Sequence, residues 1–179
     1  MHQFIKNINV SNETILELGK FSILWAKFEL EYCNNQCSDK LFFNNKIFLN
    51  SSKNVNDKNT ITARNNFRNY CNFKLNFKEL SHNLIDSLLN YFNQTKETIT
   101  PKIIHESLYS KNFKCYYTQV DDIICNNITN NEELLLGSLL IIFRLRNNLF
   151  HGLKDCYSIN NQIHIFKNCN CFLDFLLNN

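Results

Sequence analysis

Apolar residues recur at spacings of three and four along several segments of the chain, and this period predicts amphipathic α-helices. The first predicted helix runs from Glu13 to Tyr32 and follows a candidate N-cap at Ser11 or Asn12. We expect one face of this helix to be buried. The residues of that expected stripe are Ile15, Leu18, Ser22, Trp25, Phe28 and Tyr32.

Two further segments show the same helical period. The second predicted helix covers Phe77 to Phe92, and a final amphipathic helix is predicted from about Ile163 to Leu177. The expected stripe of the second helix is Phe77, Leu80, Leu84, Leu88 and Tyr91. Shorter helices are predicted at Asp39 to Leu49, Asn59 to Cys71 and Thr100 to Tyr109, and within Tyr116 to Ile128.

A long apolar helix is predicted from Asn131 to about His151, and Gly152 is well placed to end it in a left-handed cap. From Leu134 to Phe143 it is apolar on nearly every side, which is typical of a helix that is buried all round. One way to bury it is to place it at the centre of the domain and against a second subunit. The small residues Gly137 and Ser138 would allow another backbone to approach closely.

The composition favours a helical domain. The 179 residues include 32 Asn but only 3 Gly and 1 Pro, a bias that resembles the codon usage of an AT-rich genome. So few Gly and Pro disfavour a sandwich or barrel and exclude a glycine-rich phosphate loop. With 44% hydrophobic and 20% charged residues, disorder is also disfavoured. We therefore predict an all-α fold, with residues 1–179 forming a single domain of four or five main helices plus short ones.

Charge and hydropathy limit the compartment and the partners. The net charge of +3 and the pI near 8.4 are compatible with a nucleic-acid partner but do not argue for one. Met1 to Val10 lacks the apolar core of a signal peptide, so we expect a cytoplasmic protein. The longest apolar stretch, Leu134 to Phe143, is about half of the roughly 20 residues that span a membrane, so no membrane association is expected.

Eight cysteines are present, and we expect them to be reduced thiols. The close pairs Cys33/Cys37 and Cys169/Cys171 do not have the C-x-x-C spacing of zinc ribbons. The favoured interpretation is that they are small buried hydrophobes, and a zinc site built from these four is the alternative. We therefore predict neither a metal site nor a cofactor.

The chemistry is concentrated at the end of the long apolar helix. Two of the four arginines, Arg144 and Arg146, lie shortly before His151. Arginine presents a planar fork that matches phosphate oxygens, and histidine exchanges a proton near neutral pH. Together they suffice for RNA cleavage without a metal, because histidine moves the proton and arginine stabilises the charge on the phosphate.

The segment Arg146-Asn-Asn-Leu-Phe-His151-Gly152 resembles the R-x4-H motif of the HEPN family (higher eukaryotes and prokaryotes nucleotide-binding). The resemblance implies a helical bundle that forms a homodimer and cleaves RNA without metal, as a toxin or antiviral (abortive-infection) defence effector. It also implies a candidate antitoxin or defence-system partner protein. By position, Arg146 would bind the scissile phosphate, His151 would be the general acid or base, and Asn147 would support them. Leu153 stands where some family members carry a modifiable tyrosine, so such control is not expected here.

Residues five apart project about 140° apart on a helix, so Arg146 and His151 of one copy do not share a face. A site shared by two copies would bring Arg146 of one to His151 of the other. One alternative is a HEPN-like module that binds RNA or protein without cutting. Another is that Arg146 is simply a surface arginine and His151 a helix-capping histidine. The further candidate RNA contacts are Arg144, Lys154, Arg64 and Arg68; for the arginines a solvated helix face is the alternative.

Overall fold

The computed structural model describes residues 10–32, 75–95, 120, 123–125, 131–150 and 158–179. All regular secondary structure within these residues is helical, which confirms the all-α fold class. The helices are α1 (Asn12–Tyr32), α2 (Lys78–Thr95), α3 (Asn131–Phe150) and α4 (Ile163–Asn178), and a 3₁₀ turn (Ile159–Gln162) leads into α4. The four long helices of the sequence analysis are therefore confirmed to within three residues at each described end.

The start of α1 is fixed by the predicted N-cap. Ser11 Oγ accepts a hydrogen bond from the Thr14 backbone N–H at 3.1 Å. The backbone N–H of Ser11 donates to Asn160 Oδ1 at 3.0 Å. A serine oxygen at this position satisfies one of the free N–H groups of the first turn. The Asn160 contact also ties the start of α1 to the 3₁₀ turn before α4.

The buried face of α1 differs from the predicted stripe. Trp25 and Phe28 are buried as expected, but Ile15 is 54% exposed, and its place in the core is taken by Thr14 and Phe21. The prediction for Ile15 was wrong because α1 carries aliphatic residues on both faces, so periodicity alone did not fix which face was buried. Leu24 completes the buried set.

Helix α4 packs between α1 and α2. Against α1, the rings of Phe21 and Phe166 meet edge to face with centroids 5.2 Å apart. The Tyr32 hydroxyl donates to the Leu176 carbonyl at 3.2 Å. Near the start of α2, the ring centroids of Phe77 and Phe172 are 5.2 Å apart. Edge-to-face and tilted aromatic pairs of this kind add to the stabilisation from burial.

Helices α2 and α4 run antiparallel. The Tyr91 hydroxyl, near the end of α2, accepts a hydrogen bond from Gln162 Nε2 at 3.3 Å, just before α4 begins. At the other end, Phe77 precedes α2 and meets Phe175 in the last turns of α4, with centroids 5.5 Å apart. The two helices therefore contact each other along most of their length.

Helix α3 is buried all round, as its composition predicts. Every residue from 134 to 143 is buried within one chain. Trp25 of α1 contacts Phe143, with ring centroids 6.1 Å apart, and the buried Ser138 hydroxyl donates to Ser81 of α2 at 2.9 Å. The close approach predicted at Ser138 is made by α2 of the same chain, and a contact of α3 with a second subunit stays a prediction.

The remaining predicted segments are described only in part or not at all. Val120, Ile123 and Ile124 are buried and helical, within the segment where a short helix was expected. None of the described helices is long and apolar enough to cross a membrane. The other predicted short helices lie outside the described residues, as does the predicted cap at Gly152.

The corrected face of α1 gives a direct stability test. Phe21→Ala removes a fully buried ring and should lower the free energy of unfolding by about 3–5 kcal/mol. Ile15→Ala is the matched control on the exposed side and should cost less than about 1 kcal/mol. Urea unfolding followed by circular dichroism measures both. Equal losses for the two variants would show that the described burial of α1 is wrong.

Candidate functional site

The candidate site lies in the last two turns of α3, and the buried part of the helix holds those turns in place. At the start of α3, Asn131 Oδ1 accepts a hydrogen bond from the Phe77 N–H at 3.0 Å. The Asn131 side-chain amide also donates to the Leu75 carbonyl. One side chain therefore joins the beginnings of α2 and α3. With Trp25 against Phe143 further along, α3 is held at both ends of its apolar segment.

Arg146 and Asn147 are joined to each other. Arg146 Nη1 donates a hydrogen bond to Asn147 Oδ1 at 3.0 Å. Asn147 is only 5% exposed and lies one turn after the buried Phe143, so it continues the core-facing stripe of α3. Because the asparagine is fixed by the core, it restricts the directions that the guanidinium can take.

The Arg146 side chain is half-buried rather than fully solvated. Partly removing a cation from water is costly unless polar groups compensate. The Asn147 carbonyl supplies one such group, and a hydrogen bond that involves a charged donor is stronger than a neutral one. The arginine is therefore not simply a surface residue, although the burial by itself does not reveal what it binds.

The next residue, Asn148, faces another side of the helix. Its Oδ1 is buried, and no donor reaches it among the described residues. Because positions two apart on a helix project about 160° from each other, this oxygen does not lie beside the Arg146 guanidinium. The sequence singles out Asn147 because it directly follows the arginine of the motif, and it gives no such signal for Asn148.

Arg144 lies away from Arg146. Helix α3 is continuous through both residues, and positions two apart on a helix project about 160° from each other. The two arginines therefore do not converge on one phosphate. Arg144 is half-buried, and its predicted contact with RNA stays a hypothesis beside a solvated helix face. His151, Lys154, Arg64 and Arg68 lie outside the described residues.

The sequence analysis did not predict a cleft on the surface of the protein. A cleft of about 640 Å³ lies between α2 and α4 and is lined almost entirely by polar side chains. No periodic signal marks it, because its residues come from the outward faces of two helices that are distant in sequence. Its lining includes Asn83, Asp86, Asn90, Tyr91, His164 and Asn168.

The described residues contain no group of three or more side chains that could hold a metal ion. Of the predicted cysteine pair, Cys169 is fully buried, as expected, but Cys171 is exposed, which corrects the interpretation of both as buried hydrophobes. Burial raises the pKa of the Cys169 thiol. Cys33 and Cys37 lie outside the described residues, so the zinc alternative that uses them stays a hypothesis.

The cysteine environments predict selective labelling. The reactive form of cysteine is the thiolate, so burial and a raised pKa should protect Cys169 from iodoacetamide. Cys125 and Cys171 are exposed and should react in the folded protein. Peptide-resolved mass spectrometry measures each site, with urea-unfolded protein as the control in which all three react. Equal labelling of Cys169 and Cys171 in the folded state would contradict the packing of α4.

The position of Asn147 predicts a separation of stability from function. In Asn147→Leu, a buried apolar side chain replaces the amide, and that gain offsets part of the loss of the hydrogen bond from Arg146. We expect the free energy of unfolding to fall by about 1–3 kcal/mol, because the half-buried guanidinium loses an acceptor. Urea unfolding provides the measurement. A loss above about 3 kcal/mol would instead show that the asparagine is needed mainly for folding.

Comparisons of the chain with protein-family models, with curated proteins and with solved structures found no match. Any functional assignment therefore depends on the residues of this chain and on the likeness of its Arg146–His151 segment to the HEPN motif.

Proposed function

We propose that this chain is a metal-independent endoribonuclease of the HEPN type. The observation that carries the proposal is the hydrogen bond from Arg146 to the buried Asn147, in the part of α3 where the motif begins. A fixed and half-buried guanidinium is suited to holding a phosphate, because its planar fork matches two phosphate oxygens. His151 follows in sequence, one residue beyond the last residue of α3.

In the proposed reaction, the RNA 2′-hydroxyl attacks the adjacent phosphorus and the 5′-oxygen leaves. His151 takes the proton from the attacking hydroxyl or gives one to the leaving oxygen. Arg146 stabilises the negative charge that develops on the non-bridging oxygens. Asn147 touches no reacting atom in this scheme; it is a positioning residue that holds Arg146.

We propose that the complete site is shared by two copies of the chain. Arg146 and His151 are five residues apart, and on one straight helix such residues project about 140° apart. Arg146 of one copy and His151 of the other could approach the same phosphate. The cytoplasmic location, the role as a toxin or antiviral effector, and control by an antitoxin or other defence-system protein rest on the family resemblance alone.

Cleavage of RNA in EDTA tests the proposed function. Wild type should cut RNA with the chelator present, and Arg146→Ala and His151→Ala should each lower the rate by at least about 100-fold. Asn147→Leu should lower the rate while the protein stays folded. Arg146→Lys keeps the charge but loses the fork, so its rate should also fall.

The matched control is His164→Ala, which removes an exposed histidine on α4 outside the motif and should leave the rate unchanged. If wild type binds RNA but does not cut it, the non-catalytic binding module replaces the nuclease. If it cuts RNA equally well in all the motif variants, the activity belongs to another site or to a contaminant, and the assignment of Arg146 and His151 fails.

A further inference from the structure

The outward face of α1 is apolar. Leu16, Ile23 and Leu30 are 73%, 70% and 53% exposed. Gly19 and Ala26 lie between them and are also exposed. These five residues, here called the outer stripe, follow one another at spacings of three, four, three and four. That is the spacing at which a helix packs along another helix.

The outer stripe is not a continuation of the core face. Core-facing residues of α1 such as Phe21 and Phe28 lie on the other side of the helix and are at most 2% exposed. Helix α1 therefore has two apolar faces, of which the described residues cover one. The shallow apolar groove along the uncovered face includes Ile15, Leu16, Gly19 and Ile23.

Large and small residues alternate along the outer stripe. Leu16, Ile23 and Leu30 project outwards, and Gly19 and Ala26 leave gaps between them. When such a helix meets a second copy of itself in the antiparallel direction, two of the three large residues each face a small one. Two parallel copies would instead place large against large and small against small, which leaves voids.

We propose that α1 pairs antiparallel with α1 of a second copy of this chain through the outer stripe. In this pairing, Leu16 of each copy packs against Ala26 of the other, and Ile23 packs into the gap at Gly19 of the other. The contact is isologous, so it closes as a dimer with twofold symmetry. This proposal concerns α1 alone and does not rest on the proposed nuclease activity.

Charged residues along one edge of the outer stripe favour this register. Glu13, Lys20 and Lys27 lie seven residues apart. In the proposed register, Glu13 of each copy lies beside Lys27 of the other, and only Lys20 meets a like charge. A shift by one heptad in one direction would place lysines only against lysines, and a shift in the other direction would place Ala26 and Leu30 beyond the start of the other copy's α1. Within their own chain, Glu13 and Lys27 also contact Lys167 and Glu31, respectively.

The exposed apolar area suits a weak dimer. The large side chains of the outer stripe, together with Ile15, expose on the order of 400 Å², the size at which a patch on a soluble monomer often marks an interaction site. Two copies would bury about 800 Å², and the lysine stems would bring the total near the roughly 1,000 Å² of a specific interface. The dimer should therefore be reversible and depend on protein concentration.

Analytical ultracentrifugation of the full chain across the micromolar range tests the pairing. Wild type should shift from monomer to dimer as its concentration rises, and Gly19→Leu should need a higher concentration to dimerise because the added side chain fills the gap that accepts Ile23. Among the described residues, a Cβ at position 19 meets nothing within 4 Å, and leucine is a better helix former than glycine. The Gly19→Leu monomer should therefore melt at a higher temperature than the wild-type monomer.

Matched variants separate the outer stripe from general stickiness. Asn90→Leu adds the same side chain to an exposed position of α2 and should dimerise like wild type. Lys27→Glu should weaken the dimer, and the added change Glu13→Lys should restore it, because the pair is reversed.

Three results would overturn the proposal. One is a wild type that is monomeric at every concentration. The second is a Gly19→Leu variant that dimerises like wild type. The third is a Gly19→Leu variant that melts at a lower temperature than wild type, since this would show that another segment of the same chain covers the outer stripe.

Discussion

Residues 134–143 of α3 have no side that faces water, and the arrangement of the described helices depends on that constraint. Such a helix is stable only when apolar surfaces surround it. The ring of Trp25 on α1 covers it at Phe143, and α2 approaches it at Ser138. Helix α4 then joins α1 to α2 through its aromatic residues and completes the core.

The burial of α3 extends to the polar residues near its end. Arg146 is half-buried and Asn147 is buried, although both follow the apolar segment. Polar groups in this position need partners, and the bond between the two residues supplies one. The guanidinium is thereby held by a side chain that is itself fixed by the core. A phosphate-binding group benefits from such pre-organisation, because less conformational freedom is lost when the ligand binds.

Much of the fold could be predicted from the sequence, because helix periods and caps are local signals. The spacing of apolar residues predicts all four long helices, and the hydrogen bond from the Thr14 N–H to Ser11 Oγ confirms Ser11 as the N-cap. The buried face of α1 could not be fixed in this way. Ile15 and Phe21 are both apolar, and only the position of α4 decides that Phe21 is covered.

The candidate site was predictable as a position but not as a set of contacts. Arginine is rare in this chain, and two arginines shortly before a histidine indicate a site at the end of α3. The hydrogen bond from Arg146 to Asn147 could not be predicted, because it depends on where the core fixes the asparagine. The cleft between α2 and α4 gives no sequence signal, since asparagine is common throughout this chain. The burial of α3 within one chain depends on the approach of Ser81 to Ser138, a contact across 57 residues that no local pattern contains.

Side-chain NMR observes directly whether Arg146, held at the end of a buried helix, binds phosphate. The chain has only four arginines, so their guanidinium ¹⁵N–¹H signals can be assigned by substitution. On addition of RNA whose 2′-hydroxyls are methylated to prevent cleavage, the Arg146 signal should shift and exchange more slowly with water. An unchanged Arg146 signal, with RNA-induced shifts confined to Arg64 and Arg68, would contradict the account.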